Sequence, residues 1–382
     1  MAVGTSMRTL RRSYSFDEVA LVPGTVSINP DEVDTTTPLG NTELKVPFLA
    51  AAMDAVVDPQ FAIAMGRAGG LAVLNLDGLQ TRYEDPTESL AAIAAASQQD
   101  APSVLQRLYQ EPIKTRLITE RIQAIKRAGV AAAVSTIPMN APTFGHIAAE
   151  AGADLFVVQS TVTTARHISK RMPELLFERF CAEMPIPVVV GNCVNYDAAR
   201  ALMKAGIAGL LVGVGPGAAC TSREVLGIGV PQVTATMDCA AARDDHYAET
   251  GRYVPIITDG GMRTGGDICK AFASGADAVM LGSSFAQAEE APGKGYNWGM
   301  ATPHAALPRG TRIRVGTSAR LDQILFGPTS RTDGTQNFVG ALRTCMGVCG
   351  AATVRDMHKV DIVVAPGFRI EGKAYQLAAG SP

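Results

Sequence analysis

The chain carries no excess charge of either sign. Its 34 Lys and Arg stand against 36 Asp and Glu, a net charge of −2. It therefore offers no basic field for nucleic acid, and no block of like charges forms a tail. No stretch of 18 apolar residues runs free of charge or glycine, so no membrane span is expected. Basic residues open the sequence, in MAVGTSMRTLRRSYSF, but no apolar segment follows them and no secretory signal is read. Low-complexity tracts are missing. Cysteines are few and scattered: seven, at 181, 193, 220, 239, 269, 345 and 349. An odd, dispersed set makes no disulfide framework and fits a reducing cytoplasm. Cys345 and Cys349 lie four apart, too few ligands for zinc without His or Cys partners, and read as small core residues. Cys193 and Cys269 read the same way.

What is present is a 47% hydrophobic fraction, enough for a large core. It is laid out as eight short apolar runs between helical patterns: VPFLAAAM (46–53), GLAVLNL (70–76), VAAAVST (130–136), ADLFVVQS (153–160), IPVVVGN (186–192), AGLLVGV (208–214), YVPIITDGG (253–261) and ADAVMLGSS (276–284). EAG, KAG and ASG before several runs are helix C-cap signals. Runs of Val, Ile and Leu without alternation fit parallel strands buried on both faces. A doubly wound open sheet shares this local pattern. The count of eight, with glycine and polar residues gathered at the strand C-termini, favours a (β/α)8 TIM barrel in one domain over 1–382. Residues 82–115 interrupt the series as a short helical segment. Residues 293–335 are rich in Gly, Pro, Arg and Thr and read as a long active-site loop after the eighth strand.

The loop VGVGPGAACTSRE (212–224) follows the sixth run. Gly213, Gly215 and Gly217 permit positive φ and close backbone approach, and successive amides make an anion-binding nest. Cys220 falls on this loop, on the barrel's active face. Thr221 and Ser222 supply hydroxyls beside it, and Arg223 stands where a cation favours a thiolate. The opposing reading is a buried, inert cysteine. TDGG (258–261) ends the seventh run and MLGSS (280–284) the eighth, the usual barrel position for phosphate. Asp259 would repel phosphate, but it accepts two hydrogen bonds from a ribose diol. Its other reading is a helix N-cap. Together the loops spell a nucleoside monophosphate: phosphate on Gly261, Gly282 and Ser283, with Gly260 adjoining, sugar on Asp259, base near Cys220. A thiolate beside a purine adds at an electrophilic ring carbon, and hydride or a leaving group then departs. Hydride chemistry needs a nicotinamide. No GxGxxG unit opens the chain, so the nicotinamide is expected over the barrel mouth.

Taken in order, YSFDEVALVP (14–23), AAMDAV, GVGPGAACTSR, GVPQVTA, DGGMRTGGDICKA, GADAVMLGS, AEEAPG and GALRTCMGVCGA (340–351) resemble the IMP dehydrogenase and GMP reductase family over nearly the whole chain. The likeness is to the small subgroup without CBS domains, which would be inserted where 82–115 lie. The resemblance implies that Cys220 attacks C2 of the purine, that Asp259 holds the ribose, and that Gly261, Gly282 and Ser283 hold the phosphate, with Gly217, Ala218 and Gly260 also contacting the substrate. It places Met53 under the base and the backbone of Gly299 and Met300 beside it. Ser222, next to Thr221, takes the position of the hydroxyl that helps activate water or ammonia. NADPH, or NAD, is implied near Gln159, Ser160, Asn192 and Gly213. Some relatives hold K+ on the cysteine loop, here the backbone of Gly215, Gly217 and Cys220. Homotetramers or larger are implied.

Several positions depart from the family pattern. Ala218 replaces a serine, Gln159 an aspartate and Asn297 a tyrosine, and Arg309 stands where a glutamate or glutamine is usual. GMATPHAALPRGTRI (299–313) is far shorter than the dehydrogenases' flap and lacks its Arg-Tyr pair. A dehydrogenase must activate water to hydrolyse its covalent intermediate, and general acid–base help is worth about 10²–10⁴-fold. Arg309, Arg312 or Arg314 would have to serve, and arginine is a poor base. The short flap favours GMP reductase, with IMP dehydrogenase second, though the reductases' partner carboxylate is also missing at Arg309. Arg166 and Lys170 are candidates for a cofactor 2′-phosphate but read as solvated charges. A non-catalytic purine-nucleotide sensor is the reading from another class, and a flavin-bound barrel is a more distant one.

Overall fold

A computed structural model describes residues 10–168, 175–299 and 311–365. Eight parallel strands close into a barrel: β1 (Phe48–Ala50), β2 (Leu71–Asn75), β3 (Ala133–Thr136), β4 (Leu155–Gln159), β5 (Val188–Cys193), β6 (Gly209–Val212), β7 (Ile256–Asp259) and β8 (Ala278–Leu281). Each pairs with its neighbours in chain order, and β8 pairs with β1 to close the ring. Each falls on one of the eight apolar runs, with only β5 passing its run's end, by one residue, at Cys193. The open-sheet reading is thereby excluded. Met300, Arg309 and Lys170 lie outside the described residues.

The strands read as unbroken apolar runs because both of their faces are buried. Leu49, Leu71, Val73, Leu155, Val157, Val189, Leu211, Ile257 and Met280 fill the barrel interior. Their strand neighbours, such as Phe48, Phe156, Val158 and Val190, pack outward under the helices. Each large apolar side chain so buried stabilises the fold by about 1.5–3 kcal/mol. A hairpin before β1 (Thr37–Leu39 with Thr42–Leu44) adds Leu39 and Leu44 to the interior cluster. Leu39 reaches within 3.1 Å of the Cβ position at Gly209, the first residue of β6, so this hairpin plugs the N-terminal end. The open end is the C-terminal one, where barrels place their chemistry.

The 82–115 segment forms two helices, Thr87–Ala95 and Ala101–Leu108. The region after β8 is more ordered than its composition foretold. It holds a two-stranded antiparallel ribbon, Tyr296–Trp298 with Arg312–Arg314, and a helix, Leu321–Phe326. Among the described residues no helix is long and apolar enough to cross a membrane.

Candidate active site

Asp259 ends β7, and its carboxylate is gripped from two neighbouring strand ends. Its Oδ2 accepts from Asn192 Nδ2 at 2.7 Å and from Gln159 Nε2 at 3.0 Å. Gln159 Nε2 also donates to Asn192 Oδ1 at 3.0 Å, closing a triangle across β4, β5 and β7. Burial nonetheless wins over these two donors and pushes the carboxyl up to about 6. Asp259 is not a helix N-cap: Thr264 caps the following helix, Gly265–Ala273. With Oδ2 committed twice, Oδ1 is the oxygen left for a ligand, so the expectation of a carboxylate wholly free for a diol is corrected to one oxygen.

Two cofactor expectations change with this triangle. Asn192 is buried and spends both amide atoms on Gln159 and Asp259, so it orients the carboxylate rather than reaching outward. Gly213 is also buried, at φ +149°. A Cβ there would come within 2.4 Å of the Asp259 carbonyl and 2.8 Å of Gln232 Nε2, so glycine is required for packing. Ser160 turns its hydroxyl onto its own loop, at 2.7 Å from the Val162 carbonyl and 2.9 Å from Thr163 Oγ1. Gln159 differs: its Oε1 is buried and finds no partner among the described residues. A buried acceptor without a donor costs roughly 1–3 kcal/mol, so this atom is poised for a ligand N–H or O–H.

The cysteine loop lies against the β7 loop. The Cβ position of Gly261, at φ +84°, would fall 2.9 Å from Pro216 Cβ, and that of Gly260 lies 3.8 Å from Gly217. Gln232 locks the junction, its Nε2 donating to the carbonyls of Val212 and Asp259, both at 3.0 Å. Cys220 is half-buried and its thiol donates to Ser222 Oγ at 3.3 Å. Its backbone N–H donates to the Gly217 carbonyl at 3.0 Å, one of the groups expected to face K+. Ser222 is buried at the start of the short helix Ser222–Leu226, with Thr221 as its N-cap. Arg223 lays its stem on Gly215 and Gly229, and its Nη2 donates to the Val230 carbonyl at 3.1 Å. Its bond therefore braces the loop.

The β8 loop supplies the third wall. Met53, after β1, comes within 3.0 Å of the Cβ position of Gly282, so the side chain expected under the base rests on the loop expected around the phosphate. Asn297 Nδ2 donates to Ser283 Oγ at 3.1 Å. Gly299 approaches the Ala219 carbonyl so closely that a Cβ would meet it at 3.0 Å. Ala218 is exposed on the loop tip. The structure thus brings Cys220, Ser222, Asp259, Gly260, Gly261, Gly282, Ser283, Met53 and Gly299 to one end of the barrel. Sequence reasoning gave no role to Gln232, although GVPQVTA was in view, and none to Asn297 beyond its departure from pattern. Cys345 and Cys349 are half-buried and line, with Cys269, a cavity of about 660 Å³ beside the helix Phe338–Cys349.

A family described as the IMP dehydrogenase / GMP reductase domain matches residues 13–302. An uncharacterized oxidoreductase of Mycolicibacterium smegmatis is 39% identical over 366 residues, 94% of this chain and 98% of that protein. The inosine-5'-monophosphate dehydrogenase of Cryptosporidium parvum is 29% identical over 401 residues, 92% of each. A crystal structure of an IMP dehydrogenase/GMP reductase-like protein from Corynebacterium glutamicum superposes with a TM-score of 0.89 at 37% identity, covering 95% of this chain and 97% of its own. A closed eight-stranded barrel with a loop cysteine beside two glycine loops, matched along nearly its full length, belongs to the IMP dehydrogenase / GMP reductase family of oxidoreductases.

Proposed function

We propose that the protein oxidises IMP to XMP through a covalent bond between Cys220 and C2 of the purine. The observation that carries the direction is the relationship to proteins named inosine-5'-monophosphate dehydrogenase, in Cryptosporidium parvum and in Aquifex aeolicus, over 92% of this chain in both cases. The short flap favours the opposite direction, which is kept below as the second reading. Arg312, one of the cations considered for water activation, is buried and bonded to the carbonyls of Ile93 and Ala94, which leaves Arg309 and Arg314 as candidates.

The chain's own residues divide the work. Asp259 Oδ1 takes a ribose hydroxyl. The amides of Gly260, Gly261, Gly282 and Ser283 take the phosphate. Met53 and the Gly299 backbone confine the base. As the Cys220 sulfur adds to C2, its proton passes through Ser222 Oγ to N3 of the purine, the C2–N3 double bond opens and C2 becomes tetrahedral. A nicotinamide bound in its oxidised form, NAD+ or NADP+, would accept the hydride that leaves C2, and Gln159 Oε1 is the buried acceptor that would help hold it. Water then adds at C2 with Ser222 as proton relay, the carbon–sulfur bond breaks, and Cys220 leaves as thiolate. K+ on the Gly215–Cys220 backbone and a homotetramer belong to the same reading.

The second reading is GMP reductase, in which Cys220 adds to C2 of GMP, ammonia leaves and hydride is delivered to C2. It is favoured by the short interval between Gly299 and Arg312, which holds no Arg-Tyr pair. Nicotinamide absorbance distinguishes the two. The expected result is reduction of NAD+ or NADP+ with IMP, lost in Cys220→Ala. Oxidation of NADPH with GMP and no reaction with IMP would replace the first reading by the second. Nucleotide binding without turnover in either direction would overturn both in favour of a sensor.

A further inference from the structure

The helical insert and the barrel mouth share a small apolar core separate from the barrel's two larger clusters. Ile93 and Leu105, one from each insert helix, pack with Ala55, Leu79 and Trp298. At its edge stands Tyr109, the residue after the second insert helix, and its hydroxyl makes two bonds. It donates to Asp54 Oδ2 at 2.5 Å and accepts from Trp298 Nε1 at 3.0 Å. The other Asp54 oxygen takes the Leu79 backbone N–H at 3.1 Å. Gly78 has no room for a side chain, because a Cβ there would strike Asp54 Oδ1 at 2.1 Å.

Each end of this relay is one residue from the nucleotide space. Asp54 follows Met53, which rests on Gly282. Trp298 precedes Gly299, which abuts the carbonyl of Ala219, the neighbour of Cys220. One phenol hydroxyl therefore ties the segment beneath the base to the segment beside the nucleophile. A second tie runs parallel to it. Arg312, opposite Trp298 in the ribbon, donates to the carbonyls of Ile93 and Ala94 in the first insert helix and lies 4.4 Å over the Tyr296 ring.

We infer that Tyr109 is a positioning residue for the active site: through Asp54 and Trp298 it sets the spacing of Met53 and the Cys220 loop, so that the insert aligns the two walls of the nucleotide site. The inference rests on the reading of Cys220 as the nucleophile at a purine-nucleotide site.

Trp298 is the only tryptophan in the chain, so its emission reports on the relay. The test compares wild type, Tyr109→Phe, Trp298→Phe and the double variant by thermal unfolding and by the rate at which iodoacetamide alkylates Cys220, with and without IMP or GMP. Tyr109→Phe is expected to shift Trp298 emission and to raise the half-protecting nucleotide concentration about tenfold, the size expected for a hydrogen bond to a charged group. Trp298→Phe is expected to cost the same, and the double variant no more than either, because both remove one link. A folded Tyr109→Phe with protection within twofold of wild type, or additive losses in the double variant, would overturn the inference. If Tyr109→Phe does not fold, Trp298→Phe decides alone by the same twofold criterion. If neither nucleotide protects wild-type Cys220, the functional reading has failed instead. The free-thiol alkylation rate then decides: a severalfold change in the variants supports positioning, and an unchanged rate overturns it.

Discussion

Asp259 and Cys220 sit on abutting loops and are held in opposite ways. The carboxylate is clamped by two amide side chains from other strands, and a third amide, Gln232, pins its own carbonyl. The thiol has one hydroxyl at 3.3 Å, on a loop seated through glycine and proline backbone contacts. A group that only orients a sugar gains from being fixed before the ligand arrives. A group that must form and break a bond to carbon needs a partner it can release. On the proposed reading, a rigid anchor for the sugar is thus joined to a lightly held nucleophile.

Removing each half should break different quantities. Cys220→Ala should abolish turnover by about 10⁴-fold or more while nucleotide affinity, by calorimetry, stays within about threefold. A comparable loss of affinity would show that the thiol is part of the anchor. Asp259→Asn should do the reverse, weakening nucleotide binding by about 10–100-fold, because one hydrogen bond to a charged group is lost and an amide now faces two amide donors.

Acidity separates the two halves without mutation. The Asp259 carboxyl, pushed up to about 6, is ionised at pH 7 and protonated at pH 5. If the ionised form receives the ribose, affinity holds above pH 7 and falls as pH drops through 6. Stability runs the other way. Burial also pushes Asp54 up to about 6, and a raised carboxyl stabilises the fold most when protonated, a contribution lost as pH rises through about 6. Between pH 7 and pH 5 these two groups should therefore raise the melting temperature while nucleotide affinity declines. Affinity independent of pH across that window would remove Asp259 from the sugar site. The smallest effect is expected from Gln159→Leu, roughly threefold in affinity, since Asn192 still orients the carboxylate. A loss as large as that of Asp259→Asn would make the glutamine an anchor in its own right.

The barrel was legible because parallel strands buried on both faces leave unbroken apolar runs, and eight of them fell between helical patterns. That Cys220, Asp259 and the glycine loops gather at one end of the barrel was legible because all of them follow strand C-termini. The clamp was not. Asn192 and Gln159 lie 67 and 100 positions from Asp259, and only closure of the ring brings β4, β5 and β7 together. The bracing role of Arg223 was not legible either, because proximity in sequence says nothing of where a long side chain turns, and here it lies along Gly215 and Gly229 and bonds the Val230 carbonyl. The ribbon Tyr296–Trp298 with Arg312–Arg314 was hidden by short strands in a stretch rich in breakers.

The hairpin that carries Leu39 and Leu44 into the barrel floor closes the N-terminal end. Among the described residues, the rim at the strand C-termini is the face from which Cys220 is approached. A nucleotide lying on the thiol is stoppered by anything seated above it, so arrival and departure follow the order of a stack: first in, last out. On the proposed reading, water bound for C2 would come past that same rim once the ligand above has gone.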